Sequence, residues 1–234
     1  MLDAELTYLK QFLMEERLQR LEQILQQRTR HLTVLLENVF HDQNASACLR
    51  TVECFGIQDV HVVDSYNEFR PNREVALGAS KWLTFHRYQT QIDGSAVEAP
   101  SQQEACFQNL RKKGYRILAT SPCSSSTPIH QVDVKQPTAI VFGTEHTGVS
   151  EAAIAAADGM IHIPMSGFTE SFNISVSVGI ILQHLIQQLQ NSDTRWQLSS
   201  EEQQALLLQW VRKSLGQKYA PLMRRFHQQN STQP

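Results

Sequence analysis

The sequence predicts an α/β protein with a mostly parallel, Rossmann-like sheet and helical segments at both ends of the chain. Three observations carry this. Short β-branched runs such as Thr138 to Phe142 are apolar at every position rather than at every second one, as in strands buried on both faces. These runs alternate with helical-period segments that stop at a glycine, Gly56 and Gly114 being the clearest. Small polar turns then follow directly on strand ends, where open α/β sheets bind ligands.

The composition bounds the remainder. A chain of 234 residues is long enough for one or two domains and buries about 70% of its unfolded surface. Its 4 cysteines, Cys48, Cys54, Cys106 and Cys123, have no CxxC spacing, and its 9 histidines include no HExxH. The expectation is reduced thiols, no metal site and a cytoplasmic location, with no leader peptide. No run approaches the ~20 apolar residues that span a bilayer, so no membrane partner is expected. Net charge is −2, which argues against a uniformly basic nucleic-acid binder. The charge is uneven: residues 32–191 carry 15 acids and 10 bases, whereas residues 192–234 carry 3 acids and 6 bases.

Three parts are expected: an N-terminal helical extension at 1–31, a core at 32–190, and a basic helical extension at 191–234. In the first, Leu6, Leu9, Leu13, Met14, Leu18, Leu21 and Leu25 recur at helical spacing, which predicts one helix with an apolar stripe and arginines off it. In the core, the strand Leu32 to Leu36 leads through Glu37-Asn38-Val39 into a helix beginning near Asn44, with Arg50 off its apolar face and Gly56 at its end. The strand Ile57 to Val63 completes a β-α-β unit with a right-handed crossover. A polar connection with Arg70, Arg73 and Lys81 precedes a strand over Trp82 to Tyr88, and Asp93 to Pro100 reads as loop. A helix over Gln102 to Lys113 and a strand over Tyr115 to Ala119 follow, with Thr120-Ser121-Pro122 just past the strand end. Ser124 to Gln136 lacks periodicity and reads as a surface loop with Asp133 as a turn residue.

The stretch 138–190 organises the chain. After the strand Thr138 to Phe142 come Gly143, Glu145 and Gly148, and then Ser150 caps the helix Glu151 to Ala157. The Gly143 to Gly148 spacing imitates half a P-loop, but Val149 stands where its lysine belongs, and the chain has no GxGxxG, so nucleotide triphosphate and NAD chemistry are disfavoured. The strand Met160 to Ile163 stops at Pro164. Ser166, Gly167, Thr169, Ser171 and Asn173 then crowd small polar groups before a long apolar helix, either as helix-start residues or as a ligand loop. In the C-terminal extension, Ser199-x-x-Glu202 is a capping box for a helix ending at Gly216. Beyond Glu202 there is no acid, and Arg212, Lys213, Lys218, Arg224 and Arg225, interleaved with Tyr219 and Phe226, suit phosphates and exposed bases.

Three segments resemble, in order, the motifs of the SPOUT superfamily of RNA methyltransferases: LLENVFHDQNASACLRTVECFG, with Asn44 and Arg50; FGTEHTG, with Gly143 and Glu145; and IPMSGFTESFNISV, with Ile163, Met165, Ser171, Phe172 and Asn173. The resemblance implies a deep trefoil knot at about 138–190 that binds S-adenosyl-L-methionine through Thr120, Gly143, Ile163, Met165 and Phe172. It marks Arg50, Asn44, Glu145, Ser171 and Asn173 as catalytic. A homodimer built through the knot region is also expected, because the helix carrying Ile180, Ile181, Leu185, Ile186 and Leu189 is apolar on more than one face. Within the superfamily the chain looks most like the TrmH (SpoU) type, which methylates the 2′-oxygen of a D-loop guanosine in tRNA. Ribosomal relatives commonly carry a compact extra N-terminal domain, for which 31 residues are too few. Arg50, cationic in any protein, is expected to hold a phosphate and stabilise an alkoxide rather than remove its proton, with Glu145 as the alternative base. The competing expectations are a ribosomal RNA 2′-O-methyltransferase and an RNA-binding module of the same fold.

Overall fold

The computed structural model describes residues 2–39, 41–64, 76, 78–88, 101–123 and 125–230. Arg70 and Arg73 of the polar connection, the 93–100 loop and Ser124 lie outside the described residues. The chain divides into two compact units, Thr29–Trp196 and a helical unit made of Met1–Arg28 with Gln197–Pro234.

The larger unit is a wholly parallel sheet in the described residues: β1 (Leu32–Glu37), β2 (Asp59–Val63), β3 (Thr84–Tyr88), β4 (Arg116–Thr120), β5 (Thr127–Pro128), β6 (Thr138–Phe142) and β7 (Gly159–His162), in the spatial order β3-β2-β1-β6-β4-β7-β5. β1 and β6 are buried at every position, which explains their unbroken apolar pattern. Alternate residues of each strand supply opposite faces. Val34, Leu36, Ile140 and Phe142 pack under α3 (Asp42–Cys54) and α6 (Ile174–Gln190), through Cys48, Leu49, Val178, Leu182 and Leu185. Leu35, Val141, Ile117 and Ala119 pack under α4 (Gln102–Lys112) and α5 (Glu151–Ala156), through Phe107, Leu110 and Ala153. Each fully buried leucine or isoleucine contributes roughly 1.5–3 kcal/mol, so the two-sided burial is what holds the sheet.

One expectation changes within these elements. The segment 125–136 is not plain loop: Thr127–Pro128 pairs in parallel with β7, and a 3₁₀ turn follows at Ile129–Gln131. A two-residue strand carries no periodicity to read, whereas Ile129, Val132 and Val134 are buried in the core. Asp133 does act as a turn residue, accepting from Lys135 N at 3.1 Å and pairing with Arg116 at 3.0 Å.

In the helical unit the single N-terminal helix resolves into α1 (Leu2–Lys10) and α2 (Glu15–Leu25). The amide N–H groups of Phe12 and Leu13 close back onto Leu9 and Lys10, and Met14 is extended at ψ 140°. The apolar spacing runs through this break, so the break left no mark on the sequence pattern. Met14 is 77% exposed and lies off the buried stripe. Leu9, Leu21 and Leu25 are buried, as are Leu206, Leu207 and Trp210 of α7 (Ser200–Leu215), which starts with the expected capping box. The buried Arg28 guanidinium stacks 5.2 Å from the Trp210 ring. Helix α8 (Tyr219–Asn230) follows, with Phe226 against Tyr8 at 5.0 Å.

Candidate functional site

β4, β6 and β7 are adjacent or nearly so in the sheet and end on the same edge, so the loops after them converge. They enclose a cleft of about 290 Å³. The turn after β6 is the tightest part. Thr144 N donates to Gly148 O at 2.9 Å and Gly148 N returns to Thr144 O at 3.1 Å, while Gly148 sits at φ +71°. Gly143 faces this pair so closely that a Cβ there would lie 2.0 Å from Gly148 O, hence only glycine fits. Thr147 N and Thr144 Oγ1, 2.9 Å apart, brace the turn from outside.

The cleft floor is apolar, from Phe142, Ile161, Ile163, Ile174 and Ile181, and its rim is polar. Of the residues expected to hold a cofactor, Thr120, Gly143, Ile163, Met165 and Phe172 all line it. Thr120 donates its hydroxyl to Val141 O at 2.9 Å, which ties the β4 end to β6. Glu145 and Ser171, from the catalytic set, line it as well.

A hydrogen-bond chain links three of the expected catalytic residues. Asn173 Nδ2 donates to Asn44 Oδ1 at 3.1 Å, and Asn44 Nδ2 donates to Glu145 Oε1 at 2.7 Å. Each side chain comes from a different element: the N-cap of α6, the first turn of α3, and the turn after β6. Asn173 is held in place because its Oδ1 also accepts Ser175 N at 2.9 Å and so caps α6. Asn173 is thus the cap of α6 and the same side chain reaches Asn44, while neither Asn44 nor Asn173 is among the residues lining the cleft. One turn along α3, the Cys48 thiol is pushed up to about 12, by burial and then by the Glu145 charge, which leaves it an inert core group.

Arg50 stands apart. It is exposed on α3 and is not one of the residues lining the cleft, since six residues further along a helix it lies on another side from Asn44. The basic set belongs to the helical unit. There Arg212 is engaged by Glu5 at 2.9 and 2.7 Å and lies 5.6 Å from the Tyr219 ring, whereas Lys213, Lys218, Arg224 and Arg225 are exposed.

The sequence reading passed over three groups. Glu37, 3% exposed at the end of β1, accepts from Ser150 N at 2.9 Å and Ser150 Oγ at 2.7 Å, and so anchors the cap of α5 beyond the Gly143 turn. A carboxylate ending an otherwise apolar strand was the available signal. His162, at the end of β7, lines the cleft with Nδ1 2.9 Å from Ser126 Oγ. His146 lines it beside Glu145, its ring 6.4 Å from that of His41 and edge-on to it. Its position next to a suspected catalytic acid was the only hint.

The chemistry of the cleft is selective. Among its described lining residues Glu145 and Glu170 are anionic and none is lysine or arginine, so a cationic small molecule with an apolar aromatic part fits and a polyphosphate does not. Among the described residues no cluster of three or more His, Cys, Asp or Glu is arranged to hold a metal, and no helix is long and apolar enough to cross a membrane.

Comparison with known proteins gives a consistent picture. The SpoU rRNA Methylase family model matches residues 31–183. A tRNA (guanosine(18)-2′-O)-methyltransferase of Borreliella burgdorferi is 37% identical over 204 residues, 87% of this chain and 88% of that protein. Its namesake in Thermus thermophilus is 36% identical over 201 residues, 85% of this chain and 97% of its own length. Among solved structures, the A. aeolicus TrmH/SpoU tRNA modifying enzyme superposes with a TM-score of 0.72 at 32% identity, covering 86% of this chain and 98% of that one.

Proposed function

From the premise that this chain belongs to the SpoU methylase family, we propose that it is a tRNA guanosine 2′-O-methyltransferase that uses S-adenosyl-L-methionine and acts on guanosine 18, in the D-loop. The relatives that span nearly their whole length with this chain carry that name. The observation that carries the reading is the Asn173–Asn44–Glu145 chain, which meets at Glu145 a cleft whose charge suits a sulfonium. When bound, S-adenosylmethionine supplies an electrophilic methyl carbon; Gly143, Ile163, Met165, Phe172 and Thr120 would hold it.

The chain's own residues then have defined tasks. The Gly143 turn brings backbone groups up to the ligand, and the apolar floor excludes water from its aromatic part. Asn44 and Asn173 orient the reacting ribose by hydrogen bonds that their mutual contact preorganises. Ser171 sits in the same loop and serves the same end. Arg50, outside the cleft of its own chain, is assigned to a phosphate beside the reacting ribose, with Lys213, Lys218, Arg224 and Arg225 on the tRNA body.

The reading includes three finer features. The chain from 138 to 190 is a trefoil knot, supported by the tight Gly143–Gly148 turn and by α6 packing back over α3. The protein is a homodimer through this region, since Phe172, Val176 and Ile180 form an i, i+4, i+8 stripe on α6 and its entry, and Phe172 and Val176 are 43% and 46% exposed. In such a dimer Arg50 is offered to the partner's cleft. It works as a soluble protein of the cytoplasm.

The test is to incubate the protein with labelled S-adenosylmethionine and unmodified tRNA and map the methylated ribose. Label on a D-loop guanosine 2′-oxygen is expected. Label on ribosomal RNA alone would replace the substrate, and no transfer with tight tRNA binding would leave an RNA-binding module.

A further inference from the structure

We propose that His146 accepts the proton of the ribose 2′-hydroxyl. This rests on the reading above, and it fills a gap that the geometry exposes. Methyl transfer to an alcohol oxygen needs a proton acceptor within hydrogen-bond reach of that oxygen. Of the two groups the sequence offered, Arg50, whichever copy of the chain supplies it, is a guanidinium, a donor with no acceptor atom. Glu145 lines the cleft, but its Oε1 is occupied by the Asn44 amide at 2.7 Å, and its place in that chain makes it a positioning residue.

Two imidazoles line the cleft. His162 is the poorer candidate, because its Nδ1 is 2.9 Å from Ser126 Oγ, and Ser126 is bonded in turn to Cys123 O at 2.5 Å, on the side where Thr120 and Ser121 close the cleft. His146 follows Glu145, whose carboxylate accepts from Asn44, and its ring stands 6.4 Å from that of His41, the N-cap of the helix α3 that carries Asn44. It is solvent-exposed at the mouth, so a proton it takes has a direct route to water. The side chain is also of the right kind, since imidazole is the one whose ordinary titration range brackets neutral pH. The titratable groups around it are His41 from the entry of α3, with its ring at 6.4 Å, Glu145 on its own turn, and Glu170 and His162 across the cleft.

The step balances. A lone pair of O2′ forms the new oxygen–carbon bond as the sulfur–carbon bond breaks and leaves its pair on sulfur, which becomes a neutral thioether. The O–H pair stays on oxygen, and the proton goes to the free ring nitrogen of His146, which returns it to water after product leaves.

Three measurements test it. Single-turnover methylation by His146→Asn should fall about 10²- to 10⁴-fold, with tRNA and S-adenosylmethionine affinities within a few-fold of wild type. The wild-type rate should rise with pH along a single-proton limb and then level, a limb that the variant lacks, and added imidazole should partly restore His146→Gly. Without any methyl donor, the His146 ring NMR signal, assigned by its loss in His146→Asn, should move on adding tRNA, and move less with tRNA carrying a 2′-deoxyguanosine at the target. A His146→Asn rate within a few-fold of wild type overturns the assignment. So does a loss confined to tRNA affinity, which marks a phosphate contact. Absence of methyl transfer by the wild-type protein on any RNA instead overturns the function on which the assignment rests.

Discussion

Gly143→Ala should separate the ligand turn from the remainder of the fold. An added Cβ would sit 2.0 Å from Gly148 O, 2.1 Å from Gly148 C and 2.2 Å from Val149 N. All three are backbone atoms, so no rotamer change relieves the overlap, and the turn must open by an ångström or more. Opening it costs the reciprocal Thr144–Gly148 pair, two hydrogen bonds at about 1 kcal/mol each, and overpacking adds about 1–3 kcal/mol. The expected loss is therefore about 3–5 kcal/mol, within the about 5–15 kcal/mol that a folded domain holds, so the protein should remain folded but weakened. Urea unfolding would show the midpoint fall at unchanged m-value, and calorimetry with S-adenosylhomocysteine would show binding weakened by at least 10²-fold, a drop of about 2.7 kcal/mol in affinity. Gly167→Ala is the control, because its Cβ has nothing nearer than Thr169 N at 3.9 Å. A Gly143→Ala protein with the wild-type midpoint and wild-type ligand affinity would refute both the strained turn and its place in the site.

Three further outcomes are expected. Asn44→Ala removes the link between Asn173 and Glu145, and should lower the methylation rate at least about 10-fold while costing only about 0.5–1.5 kcal/mol of stability, read by single-turnover kinetics and urea titration. His61 is held at about 3 by burial and then by the His86 charge, below its ordinary value; the unfolded chain thus binds the extra proton first, and the stability present above about pH 6.5 is lost as pH falls toward 3. Unfolding free energies from urea titrations should drop over that window with a slope near 1 kcal/mol per pH unit, and His61→Phe should flatten it. Reversing Lys213, Lys218, Arg224 and Arg225 to Glu, with Arg212 spared because Glu5 holds it, should weaken tRNA binding and reduce the log–log salt slope by about 0.7–0.9 for each phosphate no longer neutralised, with cofactor affinity unchanged.

Much of the architecture was legible in the chain because it depends on local rules. The two-sided burial of β1 and β6 reads directly as runs without alternation, the glycines at 56 and 114 end α3 and α4 as written, and Ser199 with Glu202 announces the start of α7. The cleft-lining residues were legible for another reason: they cluster at three strand ends, after β4, β6 and β7, and a loop's polar, glycine-bearing composition survives as a motif. The break at residues 11–14 was not legible, since a helical stripe constrains spacing but says nothing of backbone continuity across one turn.

What the sequence determined by itself was most of the longer elements, the family resemblance and the chemistry available in each loop. Which side chains meet was decided only by the tertiary structure. Asn44 lies 101 residues from Glu145 and 129 from Asn173, and their hydrogen bonds exist because parallel pairing brings β1 beside β6 while α3 and α6 pack on one face of the sheet. The same packing leaves Arg50 outside the cleft and brings His146 into it. Spacing along a helix or strand propagates over a few residues, whereas a site built from three crossovers is set by how sheet order folds distant loop ends together, and no local pattern encodes that.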